Sequence, residues 1–452
     1  MAVFTIAEVV SATGGKLRGA AQESFTGVAT DTRKIQPGNL FVALQGERFD
    51  GHDFISQAVE RGAGGVLASR TDMTMPEGVP VIYVEDTLQG LQQLARFHRL
   101  RFSIPLIAVT GSNGKTTTKD MIAAVLSSRF HVLKTEANFN NEIGLSLTLL
   151  NLDSNHDAAV VEIGMRGQGQ LRELAKIALP TMAVITNVSE THIELLGSIE
   201  NIAAAKAELV EAIPETGVVF LNGDDSYVKA MSLSSKARVV EYGILGKRDV
   251  WADAIRNDGQ GMTFHCHGQV TFTATVSAAG RHNVYNALAA IAVGVEMKLT
   301  VEEIKRGLQA FSAGAMRLSI EKLGEYVIIN DAYNASPVSM SAAIDTLAEV
   351  AKGRSIAVLG DMLELGHIAI EAHRRIGRKL AEQGVKIVIT VGELARNIAE
   401  SAHEYGIVNA VACQTHSEAI KVLQQYIKPG DTLLIKGSRG MKMEQILKMF
   451  GE

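Results

Sequence analysis

"AVTGSNGKTTTKDMIAAVL", residues 108–126, joins an apolar run to a helical pattern through a glycine-containing turn. The run that leads into it, "PLIAV", has no polar alternation, as expected for a parallel strand covered on both faces. In the turn, the backbone N–H groups of Gly111, Ser112, Asn113, Gly114, Lys115, Thr116 and Thr117 can cradle phosphate oxygens. The start of the following helix adds a favourable dipole. Lys115 suits the β- and γ-phosphates, and the Thr116 hydroxyl suits Mg2+. A standard phosphate loop opens on glycine; here Val109 stands at that position and belongs to the strand. The pattern predicts a nucleotide-binding α/β unit with a shortened loop.

A Mg2+–nucleotide site also needs a carboxylate at the end of a neighbouring strand. Glu162 closes the apolar run of "AAVVEIGM" (158–165) and fits that place. His192, in "TNVSETHIELLGS" (186–198), follows another strand and can reach the same crevice at the strand carboxyl ends. Other positions carry little signal alone. Lys206, in "NIAAAKAELVEAI" (201–213), reads as a lysine on a solvated helix face, and "GRHNVYN" (280–286) reads as an amide-capped helix start.

Working outward, three α/β segments are expected, at 1–102, 103–315 and 316–452. In the first, strand-like runs at 39–44 and 81–85 alternate with helical patterns at 54–62 and 87–100, and a basic "RFHRLRF" precedes Pro105. The central segment repeats buried strand, loop and helix, with helices over 116–127 and 198–212 and a β-rich stretch at 262–276. In the third, "YVIIND", "SIAVLGD", "KIVITVG", "NAVACQ" and "TLLIKGS" give five strands alternating with helices. That rhythm predicts a doubly wound, Rossmann-like sheet, and no glycine fingerprint follows its first strand to suggest a dinucleotide.

The bulk properties exclude several classes. With 452 residues, 46% hydrophobic and 21% charged, the chain has the composition of a globular protein with several cores. A net charge of −5 gives no electrostatic footprint for nucleic acid or a membrane surface. Cys266 and Cys413 lie far apart in no metal-like spacing, as expected in a reducing compartment. The first residues show no basic region ahead of an apolar one, and no uncharged apolar run reaches membrane-span length. A cytoplasmic protein is expected, and a monomer.

Several separated motifs occur in one order: "TGSNGKTT" (110–117), "NFNNEIG" (138–144), "EIGM" (162–165), "TNVSETHIELLGS", "AAKAEL" (204–209), "GRHNVYNALAA" (280–290), "GAMRL" (314–318), "INDAYNASPVSM" (329–340) and "LLIKGSRGMKME" (433–444). In this set the sequence resembles the Mur ligase family, the ATP-dependent amide-forming enzymes of peptidoglycan synthesis. Within the family it is most similar to members that add D-alanyl-D-alanine (D-Ala-D-Ala) to UDP-N-acetylmuramoyl-tripeptide. "TDTRKIQPGNLFVALQGERFDGHDF" (30–54), "DAYNASPVSM" and "VLGDMLELG" (358–366) carry that choice, with the "KGSR" ending. "GAMRL" departs from the pattern, since many members have proline and glycine before the arginine.

The resemblance implies a UDP-precursor-binding first domain, a central ATPase domain and a third domain that closes on it. It implies that Thr116, Glu162, His192 and a carbamylated Lys206 organise metal, with Lys115, Lys206, His192 and Glu162 as the catalytic set. Asn141, Asn283 and Asn286 would hold ATP from the centre, and Arg317, Asp331, Tyr333 and Asn334 from the hinge and third domain. Thr32, Arg33 and the "GERFDGH" loop (Gly46, Asp50, Gly51 and His52) would contact the uridine diphosphate. Lys436, Ser438 and Arg439 would receive the dipeptide carboxylate. Alternatives are a ligase of this or the folylpolyglutamate synthetase type adding another amino acid, and a catalytically silent precursor-binding regulator. A separate first domain argues against the folylpolyglutamate type. Retention of Lys115, Thr116, Glu162, His192 and Lys206 together argues against the regulator.

Overall fold

A computed structural model of the chain describes residues 2–19, 24–46, 49–257, 261–314 and 316–451. Among these, the strands form a two-stranded ribbon and sheets of five, nine and six strands.

The nine-stranded sheet runs through the middle of the chain. Strand Leu106–Thr110 lies inside it, flanked by Ala158–Glu162 on one side and Met182–Ile185 on the other, all parallel. Every residue of Leu106–Thr110 and Ala158–Glu162 is buried, which explains their unbroken apolar runs. The next strand in sequence after Leu106–Thr110, Val132–Lys134, pairs beyond Ala158–Glu162 at the sheet edge. Connections from the sheet centre therefore leave in both directions, which opens a crevice at the strand carboxyl ends. The far end of the sheet changes character: Val250–Asn257, Met262–Gly268 and Phe272–Val276 form an antiparallel meander.

The six-stranded sheet contains the five expected strands and one more. Ser319–Leu323 pairs antiparallel with Tyr326–Asp331 at the edge. Its sequence, SIEKL, carries no apolar run, because the strand is partly or largely exposed along its length. The other five strands are parallel, with Thr432–Lys436 between Tyr326–Asp331 and Ser355–Gly360. This puts Asp331 directly opposite Lys436.

Helix Thr87–Arg99, capped by Asp86 at the Leu88 and Gln89 N–H groups, belongs by sequence to the first segment but is fastened to the centre. His98 Nε2 lies 2.9 Å from the Leu152 carbonyl, and the buried Arg99 guanidinium donates to the carbonyls of Ala178, Phe102 and Ile104. One apolar cluster continues from Phe4, Leu91 and Leu94 into Leu145, Leu149 and Leu171.

Candidate active site

The loop between strand Leu106–Thr110 and helix Lys115–Leu126 is held by its own sequence and by a neighbouring strand end. Gly111 (φ +150°) and Gly114 (φ +78°) occupy backbone conformations that side chains rarely adopt. A Cβ on Gly111 would lie 1.9 Å from Thr186 Oγ1, and one on Gly114 would lie 2.8 Å from Asn286 Oδ1. Thr186 and Asn187, at the end of the adjacent strand, donate to the Asn113 carbonyl at 2.6 and 3.0 Å. Asn187 Oδ1 accepts the Asn113 N–H, and Ser112 Oγ accepts the Ser189 N–H, both at 2.9 Å. Thr186, Asn187 and Ser189 were quoted within a motif but not singled out as functional. A polar residue after a strand gives no local signal that it braces another loop.

Glu162 ends the strand beside the loop and is 2% exposed. Thr116 Oγ1 donates to its Oε2 at 2.6 Å, and Asn140 Nδ2 donates to its Oε1 at 2.7 Å. Asn140 is a further residue the sequence reading passed over; its neighbour Asn141 instead caps the next helix, accepting the Gly144 N–H. Lys115 Nζ folds back onto the Gly111 and Ser112 carbonyls, at 2.8 and 3.2 Å. Burial lowers its amine below the usual lysine range against the pull of Glu162, and Arg317 adds to the lowering.

Lys206 does not face solvent. It is 2% exposed, lines the same cleft, and makes no hydrogen bond or ion pair among the described residues. Burial pushes its amine well below the ordinary range, and nearby Lys115 pushes the same way. The reading of Lys206 as a solvated helix lysine therefore fails, because helix Ile199–Glu211 turns that face inward.

His192 sits in the left-handed region at φ +64° and hydrogen-bonds through Nδ1 to Glu364 of the third segment, itself at φ +61°. Burial lowers the imidazole pKa despite the opposing Glu364 carboxylate. Two more contacts join these segments nearby: Arg375 to Glu190 at 3.0 Å, and Ser336 Oγ to Asn113 Oδ1 at 2.8 Å. The result is a cleft of about 1340 Å³, with Lys115, Glu162, His192 and Lys206 on one wall and Arg317, Asp331, Tyr333 and Asn334 on the other. That volume exceeds a usual small-ligand pocket and admits more than one substrate.

Several expected contacts have other partners. Asn283 and Asn286 line the cleft, but their amides are engaged inside it. Asn286 accepts the Thr118 hydroxyl at 3.0 Å and donates to Asn283, which donates to the Ala279 carbonyl. They brace the phosphate loop rather than present free donors. The Asp331 carboxylate is held by Lys436 and by the Leu318 N–H, while the Arg317 guanidinium stacks over the Tyr333 ring at 3.7 Å. Lys436 is 2% exposed, neutralised by the Asp331 opposite it. Ser438 accepts the Leu363 N–H at 2.8 Å. In this structure each of the two has a protein partner, Asp331 across the strand pair for Lys436 and the Leu363 N–H of a loop for Ser438. Arg439 remains on the exposed rim, paired with Glu444.

Thr32, Arg33, Gly46, Asp50, Gly51 and His52 do not line this cleft; from the first segment Leu88 and Gln92 do. Thr32 donates to Gln57 and the exposed Arg33 pairs with Asp31. His52 pins its turn from inside. It is 1% exposed, with Nδ1 against Asp50 and Nε2 accepting the Ser69 N–H at 2.9 Å. Gly51 is needed for space, since a Cβ would lie 2.6 Å from the Leu44 carbonyl. The Gly46 N–H closes its turn on the Phe49 carbonyl; Glu47 and Arg48 of the same motif lie outside the described residues.

This geometry has close relatives. A Mur ligase middle domain matches residues 109–294, a glutamate ligase domain of Mur ligases matches 316–439, and a Mur ligase catalytic domain matches 24–99. An enzyme of Bacillus subtilis named UDP-N-acetylmuramoyl-tripeptide–D-alanyl-D-alanine ligase is 42% identical, over 94% of this chain and 93% of its own. The chain belongs to the Mur ligase family. As a Mur ligase it is also similar in three dimensions to solved relatives. MurF from Acinetobacter baumannii superimposes with a TM-score of 0.93 at 31% identity, covering 100% of both chains. MurF ligase from Thermotoga maritima in complex with ADP does so with 0.84 at 28%, covering 94% of this chain and 96% of that one.

Proposed function

We propose that this Mur ligase joins D-Ala-D-Ala to UDP-N-acetylmuramoyl-tripeptide, driven by ATP, in peptidoglycan precursor synthesis. One observation carries the reading: Thr116, at the helix start after the loop, meets Glu162, at the neighbouring strand end, beside Lys115, facing the Arg317 wall across a cleft sized for several substrates. The alternative of a folylpolyglutamate-type ligase is disfavoured by similarity to the tripeptide ligase over nearly the whole chain, first segment included.

A carboxylate is a poor electrophile, so the terminal carboxylate of the tripeptide first takes the γ-phosphoryl group and ADP leaves. The dipeptide amine then attacks the acyl carbon, the C–O bond to phosphate breaks, and the amine loses a proton. The obstacle is two anions brought together, and opposing charge placed in advance is the largest contribution to overcoming it. In this reading Lys115 leaves the Gly111 and Ser112 carbonyls for the β- and γ-phosphates. Arg317 approaches the phosphates from the opposite wall, while Tyr333 keeps its guanidinium flat. Thr32, Arg33 and the turn pinned by His52 hold the nucleotide handle, and Arg439 meets the dipeptide carboxylate.

The donor set beside the loop fits Mg2+: a hydroxyl and a carboxylate already in contact, with His192 close by. Bound there, Mg2+ would neutralise phosphate charge. Lys206 suits carbamylation, because only a neutral amine reacts with CO2 and burial keeps this one neutral more readily. The resulting anion would give Lys206 the partner role toward a cation that the bare amine cannot fill. No helix among the described residues is long and apolar enough to cross a membrane. We place the reaction in the cytoplasm, with a monomeric enzyme built from segments 1–102, 103–315 and 316–452.

The test is product mass after incubation with ATP, UDP-N-acetylmuramoyl-tripeptide and D-Ala-D-Ala. The pentapeptide product should form, and phosphate release should require both precursor and dipeptide. Lys115→Ala should lower turnover by about a hundredfold or more while leaving precursor binding intact. Phosphate release without either substrate, or equal use of D-Ala alone, would overturn the assignment.

A further inference from the structure

Outside the cleft, the antiparallel end of the central sheet carries a cluster that the ligase reaction does not use. Strands Val250–Asn257 and Met262–Gly268 pair so that Asp253 stands opposite His265 and Trp251 opposite His267. His265 and His267 are two residues apart on one strand, so both side chains project from the same face, while Cys266 between them is buried on the other. His267 Nε2 lies 3.0 Å from Asp253 Oδ1. One donor atom from each of Asp253, His265 and His267 falls within 4.8 Å of the others.

We propose that Asp253, His265 and His267 form a second cation site, selective for a borderline transition-metal ion such as Zn2+, Ni2+ or Cu2+. Two imidazoles and one carboxylate match the ligand preference of those ions, whereas Mg2+ prefers an all-oxygen set. This separates the site chemically from the Mg2+ site proposed in the cleft, and none of its three residues lines that cleft. The two strands fix the ligands before any ion arrives. The register shift that follows Asp253, with Ala254 at φ +48°, interrupts regular pairing until Arg256 and lets the carboxylate lean toward His267. Trp251 stacks on the His267 ring, with centroids 4.4 Å apart and planes 23° from parallel, which limits the ring's rotation. Three protein ligands leave at least one coordination position for water, so the ion would exchange with solvent rather than be locked in.

The chain has one tryptophan, and it is Trp251. A paramagnetic ion at His267 must therefore quench the whole tryptophan emission of the protein. The experiment titrates Cu2+ or Ni2+ into the full chain in a non-chelating buffer containing Mg2+, following that emission. Saturable quenching at one ion per chain, reversed by a chelator and competed by a large excess of Zn2+, is expected. His265→Gln removes a ligand without touching the Trp251–His267 stack and should weaken the midpoint by about tenfold or more, as should Asp253→Asn. Ligation in transition-metal-free buffer should be unchanged in both. Quenching that does not saturate, or has the same midpoint in both variants as in the parent, would overturn the proposal by assigning it to other histidines or to collisions.

Discussion

A buried amine with no partner is costly, and Lys206 bears that cost at the wall of the cleft. Replacing it by a residue of similar shape and no charge should relieve the protein and disable it. Lys206→Met, compared with the parent in CO2-free buffer without ATP, should be more stable by about 1–3 kcal/mol in denaturant unfolding near neutral pH. The sign with pH follows from the lowered folded-state pKa. Between the folded pKa and the unfolded value of about 10.4, the unfolded chain holds more protons, so the parent gains stability as pH rises. The advantage of methionine should therefore shrink toward about pH 10. A variant less stable than its parent at neutral pH would show that Lys206 has a stabilising partner after all. At this scale the sequence was legible only in part. Thr116 and Glu162 could be paired from their places, one at the helix start after the loop and the other at a strand end. Lys206 could not, because helical spacing does not say which face a neighbouring loop covers, and its role came only from resemblance. The partner of Lys436 was hidden for a related reason: Asp331 is more than a hundred residues away in sequence and adjacent only through strand register.

Loops, more than strands, decide what the elements do here. The turn holding His192 and the turn holding Glu364 each place that residue in the left-handed region, and the two side chains meet between segments. The contact fixes the His192 ring through Nδ1 and leaves Nε2 directed elsewhere, so Glu364 acts as a positioning residue. Glu364→Gln keeps the shape but loses the charge-assisted bond. Turnover should fall about tenfold or more, with the KM for UDP-precursor nearly unchanged, and Glu364→Asp should recover part of the loss. Steady-state kinetics with each substrate varied checks this; equal kcat in Gln and parent would remove Glu364 from the account. The main elements were readable because buried parallel strands advertise themselves as apolar runs. Ser319–Leu323 was not, since a polar edge strand has the composition of a loop. Neither was the brace of Thr186, Asn187 and Ser189 beneath the phosphate loop, whose function exists only once strands are neighbours.

At the scale of the whole molecule, the structure has the third segment docked against the centre through His192–Glu364, Glu190–Arg375 and Asn113–Ser336. Of these, Glu190–Arg375 is exposed and contributes little on its own, whereas the other two are part-buried, and the apolar cluster of the centre continues into the third segment at Leu318, Met340 and Leu365. Substrates that touch both walls would bind the docked form better and so favour it further. Small-angle scattering should therefore show a wider size distribution without ligands. An ATP analogue plus UDP-precursor should narrow it to the dimensions of the docked structure. Identical curves with and without ligands, both matching the docked form, would mean that the segments are permanently joined.

The first segment is fastened as well, since helix Thr87–Arg99 is fixed to the centre by buried bonds and the same apolar core. On the proposed reading, the grip on the nucleotide handle and the phosphate loop are therefore two marks on one rigid ruler. A peptide tethered at the first mark presents its end to the second only if it has the right number of residues, each adding about 3.3–3.6 Å when extended. A precursor one residue short stops that far from the γ-phosphate, however well its handle is bound. The enzyme would thus count residues without reading every side chain. The same fixed span would put the steps of chain growth in order.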